Sequence, residues 1–298
     1  MSSRSVGPDN LLSGRAQRAG SEALRKNLRF LWLRFATPPG QQVVRANQLG
    51  RCVVLALALI VTSSLLPTRA ASPPPVDFTH LPWKDGETLT YLVSMGLFDA
   101  AEGSFTAHQK DGHWEFKLKM RSVGVVDDFY PFTGWFWCEL APDAPWRSVE
   151  YGEFRFEPKR VVKEQTRIDY AAREGTRAIW AEGKSKTFSF KEDALDDVGT
   201  MLYHLRALPL KPGDHCILHV YESDSEKEAI VECQARETKA FGSWPSQPLL
   251  RIVALPGKGT HHRGKLTLWM TDDARHLPLH ADLEFRYGTF TIDLESAK

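Results

Sequence analysis

Four cysteines in 298 residues are too few and too scattered for a disulfide-stapled scaffold. No Cys-x-x-Cys and no tight Cys/His cluster occurs, which argues against a structural zinc site. A Gly-x-Ser-x-Gly elbow, a glycine-rich phosphate loop and a Cys/His pair suited to nucleophilic attack are also missing. No catalytic residue is therefore assigned, and neither a cofactor nor a metal is expected. No internal repeat is evident. No apolar run reaches the roughly twenty residues of a transmembrane helix. Within what reads as the mature chain, helical periodicity is confined to one stretch.

Charge is present but unevenly placed. Residues 1–70 hold ten of the 38 Lys and Arg and two of the 37 Asp and Glu, so the rest is mildly acidic, with 28 against 35. A basic start beside an acidic domain fits targeting and excludes nucleic acid as the partner of the folded part. Residues 1–50 read as a basic leader that is disordered or lies upstream of the true start. Alternatively, Ser21–Phe35 forms a membrane-surface helix, with Leu24, Leu28, Leu31 and Phe35 on one side. Residues 51–70 follow as a signal peptide: Arg51, an apolar run from Cys52 to Leu66, then Thr68 and Ala70 at the −3 and −1 positions. Export to the periplasm, or otherwise out of the cytoplasm, is expected, with an uncleaved anchor as the alternative. Membrane contact is expected only through this N-terminal segment.

Residues 71–80 are proline-rich and read as a stiff linker to a single domain over 81–298. There, strand alternation dominates. Trp114, Phe116, Leu118 and Met120 alternate with Glu115, Lys117, Lys119 and Arg121, which predicts one dry and one wet face. Thr133–Leu140 is apolar on both faces, with Trp135 and Trp137 opposite Phe136 and Cys138. About a dozen short strands at regular spacing predict an all-β antiparallel meander closing into a barrel or half-barrel. The one helix, within Ala194–Pro209, must bury its apolar face against that sheet. Asp193 and Asp197 compete as its N-cap; a start at Asp197 turns Val198, Met201, Leu202 and Leu205 inward. Cys216 and Cys233 flank a hairpin, and a register centred between Asp224 and Ser225 would set them opposite each other for a disulfide. Two buried thiols is the alternative.

Four segments together resemble a family of exported bacterial proteins of unknown function. They are Gly86–Tyr91 with Ala101–Gly103, Asp197–Arg206 followed by Pro209 and Gly213, Leu268–Pro278, and Gly288. Gly199 falls where that family tends to place an apolar residue. The resemblance implies an exported β-rich domain and carries no activity.

Weighed for chemistry, His215/His219 and His276/His280 stand on strands, where i,i+4 spacing separates side chains by some 13 Å. Adjacent His261 and His262 add no ligand set. Asp127, Asp196 and Asp272 would have to converge to act as hydrolase carboxylates, whereas each sits where aspartate caps backbone. Asp197, Arg206, Asp272 and Arg275 are expected to be structural anchors. Trp135, Trp137, Val198, Met201, Leu202 and Leu205 are expected to line an apolar cavity with the helix as lid. The function expected is a non-catalytic cell-envelope protein binding an apolar small molecule such as a lipid. Capture of another envelope protein is the alternative.

Overall fold

The computed structural model describes residues 72–141, 146–222, 225–258, 264–285 and 288–298, leaving aside the side chains of Val198 and Glu222. The basic leader, the signal-peptide segment and His261-His262 lie outside the described residues. Strands β1 (Glu87–Met95), β2 (Phe98–Lys110) and β3 (His113–Ser122) lead into a short helix, α1 (Gly124–Phe129). Then come β4 (Thr133–Ala141), β5 (Arg147–Glu157), β6 (Arg160–Asp169), β7 (Glu174–Ile179) and β8 (Lys184–Ser189). Helix α2 (Val198–Ala207) precedes β9 (His215–Glu222), β10 (Ser225–Phe241), β11 (Trp244–Pro256), β12 (Gly264–Thr271), β13 (Pro278–Phe285) and β14 (Gly288–Ala297).

All fourteen strands form one antiparallel sheet in the order β8 to β1, then β14 to β9. Two meanders thus join where β1 pairs with β14, and β8 and β9 are left as the outer strands. The sheet is barrel-like and open, as the alternating pattern predicts. Residues 195 and 196 bridge the seam. The Asp196 amide donates to the His219 carbonyl and its own carbonyl accepts from the Tyr221 amide, both at 2.7 Å, while the Ser148 amide donates to the Leu195 carbonyl at 2.9 Å. A small core of Phe188, Phe190, Leu195 and Tyr221 closes behind this bridge.

Register explains the two faces. One inner row runs Leu89, Phe105, Leu118, Phe136 and then Glu153 and Glu164; the next runs Tyr91, Gly103, Met120, Gly134, Arg155 and Val162. The inner wall is therefore apolar over β1–β4 and ionic over β5–β7. There buried Arg155 holds Glu157 at 2.5 Å and Glu153 at 3.3 Å, and Glu157 also takes Arg160 at 2.8 Å. Phe241, at the tip of the long β10–β11 hairpin, stacks on His280 at 4.2 Å, and the Trp244 indole donates to the Leu294 carbonyl at 2.5 Å. These contacts help explain why β12 is buried on both faces.

Several sequence expectations are corrected. Cys216 pairs with Val231, so the register is two residues away from the one a disulfide would need, and both thiols are free and buried. The last pair of that hairpin is Glu222 with Ser225. The proline-rich stretch is only partly a linker, because Val76 and Phe78 pack on the core and Phe78 stacks on Trp146 at 5.9 Å. Helix α1 was not expected; none of its residues is buried, so it leaves no apolar stripe in the sequence.

Candidate functional site

Helix α2 is tied down at both ends by groups that rarely leave water. At its start Asp197 caps the helix: Oδ1 accepts from the Gly199 amide at 2.7 Å and the Thr200 amide at 3.0 Å. The Thr200 hydroxyl takes the Asp197 amide at 2.8 Å, completing a capping box. Oδ2 accepts from Ser148 at 2.5 Å. Burial raises the Asp197 carboxyl to a pKa of about 6, against the pull of these donors. Next to it Asp196 accepts from the Trp146 indole at 2.8 Å and pairs with His204 Nδ1 at 2.8 Å, with Trp146 and His204 stacked at 4.5 Å. Gly199 permits the approach to β4, since a Cβ there would meet Cys138 Sγ at 2.6 Å.

At the other end Arg206, fully buried, forks onto Glu87 with bonds of 2.5 and 3.0 Å. Its guanidinium also donates to the Pro82 and Arg275 carbonyls, both at 3.2 Å, and lies over Trp83 and Tyr203. His276 Nδ1 meets the Arg206 carbonyl at 2.6 Å. Helix α2 thereby blocks the sheet end at which β1 and β5 begin, and Tyr203 stacks on Phe116 at 3.8 Å.

On the far side of the helix a narrow recess of about 40 Å³ remains between sheet and helix. Val93, Phe105, Met120, Leu268 and Ile292 wall it, and Leu202 is the helix residue that floors it. Tyr91 lies in the same wall and spends its hydroxyl on the Pro278 carbonyl at 3.3 Å, leaving its ring to the recess. The lining is almost wholly apolar, and the volume has room for a few water-sized groups, well below the roughly 300–1,000 Å³ usual for small-molecule sites.

Of the residues expected to line a cavity, Leu202 does so. Met201 and Leu205 are buried in the main core and do not reach the recess. The Val198 side chain lies outside the described residues. Trp135 and Trp137 lie on the outer face, a correction that follows from strand parity: the row of Phe136 and Cys138 faces inward. Trp137 lies over Gly152 and donates to Glu150 at 3.1 Å, and Trp135 packs on Phe154 at 4.6 Å. Signals that could have settled the parity are Gly134, which leaves room inside for Arg155, and Gly152, which leaves room outside for Trp137.

Among the expected anchors, Asp197 and Arg206 hold the helix as described. Asp272 pairs with Arg236 on the surface. The Arg275 side chain is exposed, and its contribution is the carbonyl that Arg206 grips. In that connection the organiser is Asp273, which accepts from Thr271 at 2.7 Å and from the amides of Arg275 and His276. Asp127 bonds Ser122, Asp196 bonds His204 and Asp272 bonds Arg236, three separate partnerships. Among the described residues one group, Glu192, His219 and Glu226, has ligand atoms close enough for a cation. Both imidazole nitrogens already face carboxylates there, Nδ1 to Glu226 at 3.0 Å and Nε2 to Glu192 at 3.8 Å, an ion-pair bridge across the seam.

The model for "Protein of unknown function (DUF3108)" matches residues 90–295. No curated protein matches the chain. A solved structure described as a β-barrel-like protein of the domain of unknown function DUF1849, from Brucella abortus, is similar with a TM-score of 0.51 at 6% identity, covering 72% of this chain and 97% of that one. A DUF1089-family protein from Pseudomonas aeruginosa aligns with a TM-score of 0.33 at 12% identity, over 73% of this chain and 95% of that one. The first comparison shows a shared fold and nothing about ligand or partner.

Proposed function

The chain belongs to the DUF3108 family of proteins of unknown function, and from that premise we propose that it is a non-catalytic, exported cell-envelope protein that holds an apolar ligand in its barrel. The observation that carries this reading is the recess walled by Val93, Phe105, Met120, Leu268 and Ile292 above Leu202. An apolar hollow this small is a starting point that must widen around an acyl chain, which then restores the dispersion contacts the hollow forfeits. The ion pairs of β5–β7 stand beside its Met120 wall, one strand beyond Gly134, within reach of the polar end of an amphiphile. Export is supported by the apolar run and small residues of 51–70 in the sequence. Strand addition by a protein partner at outer strand β8 is disfavoured, because that strand is six residues long and carries Lys184 and Lys186.

Native mass spectrometry of the protein purified from its own envelope is expected to show a bound apolar species. The variant Val93→Leu, which fills much of the recess, is expected to fold and to lose that species. A clean unliganded mass for the wild type under gentle conditions would overturn the reading.

A further inference from the structure

Large hydrophobic side chains exposed on the described surface are Leu97, Phe129, Trp135, Phe156, Val161 and Trp180. They come from six places in the sequence, yet the topology gathers them at one end of the sheet. Leu97 is in the β1–β2 turn, Phe129 closes α1 between β3 and β4, and Trp135 is in the first residues of β4. Phe156 is at the end of β5, Val161 at the start of β6, and Trp180 immediately follows β7. In an antiparallel meander the end of an odd strand and the start of the next even one share an edge, so all six lie on the rim opposite helix α2. Among the described residues, the end that the helix blocks exposes none.

The rim is also cationic between its aromatics. Lys119 pairs across the sheet with Trp135, Lys163 pairs with Phe154 and lies over the Trp180 ring at 4.8 Å, and Lys159 tops the β5–β6 turn. Lys119 and Lys159 have no ion-pair partner among the described residues. Other charges there are paired: Arg121 with Glu102, Arg160 with Glu157 and Lys184 with Glu182. The exposed acids of this edge include Asp128 on α1 and Asp99 at the start of β2, the latter accepting from Ser94 at 3.1 Å, while Asp127 is held by Ser122, so acids are interspersed with the unpaired lysines. Tryptophan and phenylalanine interleaved with unpaired lysines match the interfacial layer of a bilayer, where rings sit at headgroup level and ammonium groups reach lipid phosphates.

We propose that this rim docks on the surface of a phospholipid bilayer with anionic headgroups, presenting the recess side of the barrel to the membrane and the helix-blocked end to solvent. Contact of the folded domain with a membrane thus goes beyond the N-terminal segment to which the sequence confined it. The rim carries this inference and the recess walls carry the ligand reading, so either can fail without the other.

Orientation tests it in the full chain, because the N-terminal segment could hold the protein on vesicles but cannot insert the rim. With Cys52 replaced by Ser and the other three cysteines buried, an environment-sensitive fluorophore is placed on Leu97→Cys, or on Asp111→Cys in the β2–β3 turn at the opposite end. Vesicles of phosphatidylethanolamine and phosphatidylglycerol are expected to blue-shift the probe at 97 and expose it to a lipid-borne quencher, with neither effect at 111. Combining Phe129→Ser, Phe156→Ser and Trp180→Ser, all at exposed sites, is expected to abolish the shift at 97 while leaving the melting transition in place. Equal responses at 97 and 111, no response at 97, or a shift at 97 that appears without vesicles as the protein self-associates would each overturn the proposal. The ligand reading is decided separately, by the mass measurement.

Discussion

The two ends of this barrel break the usual partition of residues in opposite directions. At the helix end, charged groups are buried: Arg206 and Asp197 are each 0% exposed, and Asp196, His204 and Glu87 are buried around them. At the rim end, large apolar groups face water, Leu97 at 98% and Phe129 at 66%. Both placements cost free energy, since charge resists desolvation and exposed apolar surface forgoes burial. The helix end offsets its cost internally, each buried charge meeting an opposite charge or a donor. Among the described residues the rim has no such compensation. An uncompensated cost at one end of a molecule whose charges are paired at the other points outward, to something that covers the rim.

Breaking the Arg206–Glu87 pair is expected to have the largest effect. Arg206→Met leaves the Glu87 carboxylate buried without a partner and removes the donors to the Pro82 and Arg275 carbonyls. Loss of one partner of a buried pair costs about 3–5 kcal/mol, whereas apolar replacement of both is close to neutral. Urea unfolding of Arg206→Met and of the double variant Arg206→Met/Glu87→Met measures the two. If the double variant is as unstable as the single, the end is held by Arg206's carbonyl contacts and packing instead of the ion pair.

Much of this was legible in the sequence. Alternation fixed most strands because one face of each is dry, and α2 begins at Asp197 because its neighbours suit a capping box. Two kinds of information were hidden. The first is parity. Thr133–Ala141 is apolar on both faces, and only the room left by Gly134 and Gly152 decides that the tryptophans point out. The second is pairing over distance. The polar run Gln234–Lys239 looks like a loop, yet it continues β10 through two register shifts opposite β11. The rim is the extreme case: six residues between 97 and 180 share one edge only once the topology is known.

Gly199 gives the middle-sized test. In an open helix position, glycine to alanine gains about 1 kcal/mol. Here the added methyl would sit 2.6 Å from Cys138 Sγ, at the place where the helix lies closest to β4. Gly199→Ala is therefore expected to destabilise by roughly 1–3 kcal/mol, the usual cost of overpacking. Cys138→Ala in the same chain is expected to recover most of the loss. A more stable Gly199→Ala would show that the helix end is looser than the inner packing implies. This sharpens the comparison, because Phe129→Ser at the rim is expected to move stability by no more than about 0.5 kcal/mol.

The last effect is one of pH, and it separates the ends by the kind of cost each carries. Burial holds the Asp197 carboxyl at a pKa of about 6, above the 3.8 of an exposed aspartate. The native state therefore binds the proton more tightly than the unfolded chain does. The stability this supplies is complete below pH 3.8 and is lost as pH rises through about 6. Asn at 197 keeps an oxygen for the Gly199 and Thr200 amides and cannot ionise. The stability of Asp197→Asn relative to the wild type is thus expected to rise between about pH 4 and pH 6 and to level off above. Urea midpoints across that range measure it. A difference that stays constant would mean that Ser148 and the helix amides already keep the carboxylate ionised in the native state, and that the buried charge at this end is less costly than its surroundings suggest. The same series on Phe129→Ser is expected to be flat, since the cost of the rim is exposed apolar surface and carries no proton.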